Sequence, residues 1–347
     1  MKLYHLSHID LDGYGCQLIT KEYFKNTNFY NSNYGNEITQ KIEQIFSDIE
    51  KDDKDKVIIL ITDLNLTLQQ AKMLDEKVKN SQRDIELLLL DHHKTGRECA
   101  EKFEWYNLDE KRCATKITYD YFSKKFYPND KLKKFSDVTN AIDIWLSDDK
   151  YFELGKVCLK IVSDAKEVNR VMFPKENNEY IFSMLENSYE YYDKAGANIA
   201  LDNAIHKLKK RFFKGFSKDD TLDNLVSKYV VELLTKKKDQ MSINYKGAKG
   251  ILTYAITNVS VIGNDFLVKN PDFDFFMNIN ARRNISLRGN GKVDVSVIAN
   301  ELGEGGGHAN ASGGIIKSFK DSFLYENIKK QVEDTIYKVT GEPKAQG

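Results

Sequence analysis

Three short apolar runs each end in groups that bind metals or move protons. "LYHLSHIDLDG" leads into His8, Asp10 and Asp12, "VIILITD" into Asp63, and "IELLLLDHH" into Asp91, His92 and His93. Carboxylates held close together repel unless a cation lies between them. A single acid after a strand is commonly a helix cap or a turn former. Three in succession ask for a shared reason. The set is rich in carboxylate and imidazole and holds no thiolate, which suits Mn²⁺ or Mg²⁺ better than structural zinc. Five or six such ligands are too many for one ion with an open position. They suit two divalent ions about 3.5–4 Å apart that share one carboxylate. Such a pair would clamp a phosphate, acidify a water and stabilise charge on a departing oxygen. That chemistry is phosphoester hydrolysis.

Particular elements must bring these groups together. The three runs are nearly continuous in Leu, Ile and Val, as in strands buried on both faces of a parallel sheet. Between the last two, "LTLQQAKMLDEKVKNSQRD" has helical spacing with Thr67 as a cap. This is a βαβ unit and predicts a doubly wound α/β domain, in which function collects beyond the carboxyl ends of the strands. If the first strand stays extended, alternate side chains share a face, and His8, Asp10 and Asp12 converge there. The polar run 47–56 reads as a solvated helix end and loop. Residues from about 110 to 220 read as helical, and those beyond 225 as strands and hairpins rich in aromatics and β-branched side chains. The expected architecture is a parallel-sheet domain over 1–185, a helical connector over 186–224 and a smaller α+β domain over 225–347. The basic run 206–216 reads as an amphipathic part of that connector. His5, Trp105 and Trp145 read as packing residues.

The bulk numbers narrow the field. The chain has 347 residues, 30% charged and 41% hydrophobic, an ordinary globular composition. Lys plus Arg and Asp plus Glu both total 52, so no global basic excess exists to hold long duplex DNA. The four cysteines form no CxxC pair, and a reducing cytoplasm is the expected location. No apolar run approaches the roughly 18 residues of a membrane span, and the N-terminus carries no secretory pattern.

"DHH" after a buried strand, preceded by an "HxDxDG" strand end and an isolated "TD" strand end, resembles the DHH phosphoesterase family. "GEGGGHANASGG" (303–314) is similar to the GGGH motif of the C-terminal domain associated with that family. The order and spacing of the motifs extend from residue 5 to about residue 316. The resemblance implies that His8 and Asp10 hold a first ion, Asp12 and His92 a second, and Asp63 bridges both. The family's further Asp finds its match at Asp143 of "NAIDIWLSDD", with Asp148 and Asp149 as alternatives. Asp91 would orient a neighbouring imidazole, and His93 would meet the substrate phosphate as hydrogen-bond donor or general acid. Ser286 and Arg288 of "NISLRGN" resemble the family's Ser-x-Arg strand. With Gly305, Gly306, Gly307 and His308 they would bind the rest of the substrate.

The expected activity is Mn-dependent hydrolysis of short single-stranded oligonucleotides or linear dinucleotides to nucleoside monophosphates. Cyclic dinucleotides and 3′-phosphoadenosine 5′-phosphate are alternative substrates. A silent nucleotide-binding protein and a pyrophosphatase stand further off. A homodimer is left open.

Overall fold

The computed structural model describes residues 2–52, 56–215 and 218–341. The chain divides into two compact units, Met1–Ala165 with Asn178–Ile205, and Lys166–Asn177 with His206–Gly347.

The first unit opens with β1 (Lys2–Ser7), α1 (Leu11–Tyr23), β2 (Thr27–Asn31), α2 (Asn36–Glu50) and β3 (Lys56–Thr62). It continues with α3 (Leu68–Asn80), β4 (Asp84–Asp91), α4 (Arg97–Lys102) and β5 (Tyr106–Leu108). The strands form one sheet in the order β2-β1-β3-β4-β5, every neighbouring pair parallel. Strand β3 shows why the sequence reads as it does. Val57, Ile59 and Ile61 pack with Ile38, Ile42 and Ile45 of α2 and Leu74 of α3. Ile58 and Leu60 pack on the other face with Leu3, Leu88, Leu90, Ile117 and Phe122. Both faces are covered, so both sets of alternating positions are apolar. Thr67 caps α3 as expected, in a reciprocal capping box with Gln70. Among the described residues five α-helices follow, α5 (Ala114–Lys125), α6 (Asp130–Asp143), α7 (Phe152–Ser163), α8 (Pro174–Ser188) and α9 (Ala197–Lys214), with residues 174–177 of α8 and 206–214 of α9 counted in the second unit.

The sheet order places the switch of winding direction between β1 and β3. A crevice opens at the carboxyl ends of strands at such a point.

One expectation needs correcting. The first strand does not stay extended through Asp12. Ser7 is the last residue paired to both neighbours, with Asn31 on one side and Thr62 on the other. Beyond it the ladder ends, and Asp10 caps α1 by accepting a 3.0 Å bond from the Gly13 N–H. His8, Asp10 and Asp12 therefore come from a strand end, a helix cap and a first helical turn. Gly13 is required there, since a Cβ would stand 2.3 Å from the His8 carbonyl oxygen.

Of the polar run 47–56, α2 takes the start up to Glu50, and residues 53–55 lie outside the described residues. Of the basic run 206–216, α9 takes the part up to Lys214, and Phe216 lies outside them.

The second unit contains α10 (Leu222–Lys237), β6 (Ser242–Tyr245), β7 (Ala248–Tyr254), α11 (Val259–Lys269), β8 (Phe275–Ile279) and β9 (Asn284–Gly289). It closes with α12 (Val295–Gly303), β10 (Gly306–His308), β11 (Ala311–Ile315) and α13 (Tyr325–Thr340). Its sheet runs β10-β11-β9-β8-β7-β6 and is antiparallel except between β7 and β8. Residues 342–347 lie outside the described residues. Among the described residues, no helix is long and apolar enough to cross a membrane.

Candidate active site

His8 and Asp63 each follow directly on a strand end, and their predecessors Ser7 and Thr62 are ladder partners. Neighbouring strands thus deliver the two groups side by side. His8 Nδ1 lies 2.8 Å from Asp10 Oδ2 and 3.7 Å from Asp63 Oδ2. Asp63 takes the left-handed conformation at φ 54, and its N–H donates to the Leu90 carbonyl at 3.2 Å. That contact holds the turn against β4. The Asp63 side chain is 2% exposed, and its Oδ2 has no hydrogen-bond partner among the described residues. Burial and the nearby Asp12 and Asp10 charges push its carboxyl well above the usual range. Burial would lower His8, yet its hydrogen bond to Asp10 and the nearby Asp63 carboxylate outweigh that and raise it to about 10. Asp10 would likewise rise on burial. The His8 partnership and the Gly13 N–H instead bring it to about 2.

The end of β4 supplies a second group. Asp91 is fully buried and accepts at both oxygens, from His93 Nδ1 at 2.7 Å and from the Tyr106 hydroxyl at 2.8 Å. A carboxylate only accepts, so the His93 proton sits on Nδ1 and Nε2 faces outward. The Tyr34 hydroxyl stands 3.0 Å from that Nε2. His92 occupies the middle of the cluster. Its Nε2 is 3.4 Å from Asp63 Oδ1, 3.5 Å from Asp143 Oδ2 and 3.6 Å from Asp12 Oδ2.

The third group assembles at the start of α5. Asp12 accepts 2.7 Å bonds from the N–H groups of Ala114 and Thr115. These are orphan donors of a helix N-terminus, which favours an anion. Thr115 Oγ1 donates to the Asp12 carbonyl, also at 2.7 Å. Cys113 caps the same helix through a 3.4 Å bond from the Lys116 N–H. The ligand atoms of Asp12, Cys113 and Asp143 lie within 4.8 Å of one another. Asp143 ends α6, and burial with the Asp12 charge raises its carboxyl to about 8. Asp149 accepts from the Tyr151 N–H in a local turn.

The residues fit metal ions. The 3.4–3.7 Å separations around His92 and Asp63 are too long for hydrogen bonds. They match two ligands on a common ion at roughly 2.0–2.2 Å from each. The orphaned Asp63 Oδ2 is a buried acceptor awaiting a cation. Among the described residues three groups could each hold an ion: His8 with Asp10 and Asp63, Asp63 with His92 and His93, and Asp12 with Cys113 and Asp143. Asp63 belongs to two of them.

Sequence reasoning missed Cys113, Tyr34 and Tyr106. Nothing local in the chain marks them, since each reaches the cluster from far away in sequence. His5 is a core residue, as read. It is fully buried with 2.8 Å bonds to Thr20 Oγ1 and Thr62 Oγ1, and burial lowers its pKa to about 3.

In the second unit, register settles which expected residues share a face. Arg288 pairs with Ala311 and Ser286 with Gly313, while His308 pairs with Ala311 and Gly306 with Gly313. Cross-strand partners share a face and alternate positions along a strand repeat it. Ser286, Arg288, Gly306 and His308 therefore line one face of the sheet, and Gly307 falls on the other. The Arg288 guanidinium donates to Ser260 Oγ at 2.6 Å and to the Leu287 carbonyl at 2.7 Å. Gly305 admits no side chain, because a Cβ would meet the Gly313 oxygen at 2.0 Å.

No family model matches the chain. It is 43% identical over 342 residues to a 3′,5′-cyclic-nucleotide phosphodiesterase of Helicobacter pylori (strain ATCC 700392 / 26695), covering 96% of this chain and 98% of that one. It is 26% identical over 359 residues to oligoribonuclease NrnB of Bacillus subtilis (strain 168), covering 98% of this chain and 81% of that one. The crystal structure of an uncharacterized protein from Helicobacter pylori G27 superposes with a TM-score of 0.90 at 42% identity, over 97% of this chain and 99% of that one.

Proposed function

Since the chain belongs to the DHH phosphoesterase family and is a hydrolase of phosphodiester bonds, we propose that it cleaves the 3′,5′-phosphodiester of small nucleotides with two divalent ions. The observation that carries this is the sharing of Asp63 between two potential ion sites. His8, Asp10 and Asp63 would hold one ion, and Asp63, Asp12, His92 and Asp143 the other. Bound there, Mn²⁺ or Mg²⁺ would lower the pKa of water and neutralise charge on the phosphate oxygens.

The chain's own residues do the rest. Asp91 fixes the His93 ring through Nδ1–H, so that Nε2 would meet the substrate and, in the doubly protonated imidazolium, would pass its proton to the leaving oxygen. The Tyr34 hydroxyl at 3.0 Å competes for Nε2 until a phosphate displaces it. In the second unit, Arg288 offers a planar fork of donors for a phosphate, beside Ser286, Gly306 and His308.

The substrate reading follows the relatives. A cyclic 3′,5′-mononucleotide comes first, because the likeness to the phosphodiesterase spans nearly the whole of both chains. Short oligonucleotides and linear dinucleotides come second, on the oligoribonuclease likeness. Both share the scissile bond. The test is product analysis with Mn²⁺ or Mg²⁺ on 3′,5′-cyclic AMP and GMP, linear pApA, 5′-labelled RNA of two to twenty nucleotides, cyclic di-AMP and pyrophosphate. Conversion of the cyclic mononucleotides or the shortest RNAs to monophosphates supports the proposal. Hydrolysis of pyrophosphate alone, or of nothing, contradicts it.

A further inference from the structure

We propose that Trp145 is the platform on which the substrate's nucleobase stacks. This rests on the small-nucleotide reading above. Trp145 lies just past the end of α6. The Leu146 N–H donates to the Ala141 carbonyl at 2.8 Å and the Trp145 N–H to the Ile142 carbonyl at 3.3 Å. These two bonds define a Schellman cap with Trp145 in the position that glycine usually fills. Trp145 accordingly sits at φ 57, in the left-handed region. An L side chain there costs roughly 1–2 kcal/mol, and a bulky one is a genuine outlier.

The indole does not recover that cost by burial. It is 67% exposed, the most exposed aromatic side chain among the described residues. Its recorded ring contact is an edge-on one with Phe152, centroids 5.1 Å apart. The packing role read from the sequence is therefore not what Trp145 does. Trp105 shows the contrast, its ring tilted against Phe103 with centroids 5.0 Å apart and its Nε1–H bonded to Asp75 at 3.1 Å.

The location supplies the function. Trp145 follows two residues after Asp143, whose Oδ2 stands 3.5 Å from His92 Nε2. At about 3.8 Å per residue the indole is rooted within a nucleotide's length of that cluster. Backbone strain gathers at functional sites, where a side chain must be presented rather than packed. A flat, exposed aromatic ring rooted two residues from a candidate ligand of a phosphate-cleaving centre suits a base, because every base has a π-face. Stacking of this kind accepts both a cyclic mononucleotide and the end of a short oligonucleotide.

The experiment compares wild type with Trp145→Gly and Trp145→Phe, all Mn²⁺-loaded. The substrates are linear pApA and the same phosphodiester with tetrahydrofuran abasic residues. Stacking is worth ~1–3 kcal/mol per base, so Trp145→Gly should cut the preference in kcat/KM for the base-bearing substrate about 10-fold, mostly through KM. Its Tm should equal or exceed that of wild type, since glycine is at ease at this φ. Trp145→Phe should retain most of the preference. An unchanged preference in Trp145→Gly, whatever its Tm, overturns the assignment. Should wild type cleave neither substrate, the phosphodiesterase reading fails, and binding still decides this one. In a Trp105→Phe background, AMP with Mn²⁺ should quench Trp145 fluorescence saturably, and no quenching overturns the stack.

Discussion

At the residue scale, one side chain holds the account together. Asp63 is buried, stands in a strained backbone conformation, and keeps one oxygen without a hydrogen-bond partner among the described residues. A structural acid would have found a donor. Asp63→Asn keeps the shape and removes the charge, so hydrolysis should fall by about 100-fold or more while thermal stability holds or rises. Activity above a tenth of wild type would contradict the shared role. Asp91 holds His93 Nδ1 at 2.7 Å, and the proposed chemistry has it act through that ring. Asp91→Asn should lower kcat by about 10–100-fold with KM little changed, as for partners that orient a working imidazole. A loss confined to KM would refute that role. These residues were legible because each follows an apolar run. Cys113 and Tyr34 were not, since the fold alone brings them in.

At the scale of elements, the sequence conveyed the sheet and misled on one junction. The Leu, Ile and Val runs announce parallel strands buried on both faces, and "LTLQQAKM" behind Thr67 announces a capped helix. The spacing of His8, Asp10 and Asp12 mimics a strand because period two is all that three residues can display. What decides their geometry is nonlocal. The ladder stops at Ser7, and the N-terminus of α5 claims Asp12 from 102 residues away. The junction leaves no room at Gly13. Gly13→Ala should destabilise by ~1–3 kcal/mol through overpacking against the His8 carbonyl, read as a lower urea midpoint. An unaltered midpoint would mean that the turn can yield. His5 ties β1 to β3 and α1 through Thr62 and Thr20. Its folded pKa of about 3 lies below the ordinary value of 6.5, so the unfolded chain binds the extra proton. Its contribution is complete above pH 6.5 and is lost as pH falls toward 3, at up to about 1.4 kcal/mol per pH unit. His5→Gln should flatten urea stability against pH across that window. Parallel curves for the two proteins would remove His5 as the cause.

At the scale of the whole molecule, the motif order from the first strand to the glycine-rich hairpin made the family legible, and the full-length likeness to a cyclic-nucleotide phosphodiesterase bears it out. The substrate was less legible, because a binding face depends on register between distant strands. Arg288 and Gly306 share a face only through β11. The proposed chemistry turns on one buried aspartate serving two ions. Isothermal titration of the chelator-stripped protein with Mn²⁺, wild type beside Asp63→Asn, tests it most directly. Two ions should bind per wild-type chain, and both sites should weaken in the variant. One ion in wild type, or one site left at full affinity in Asp63→Asn, would contradict it.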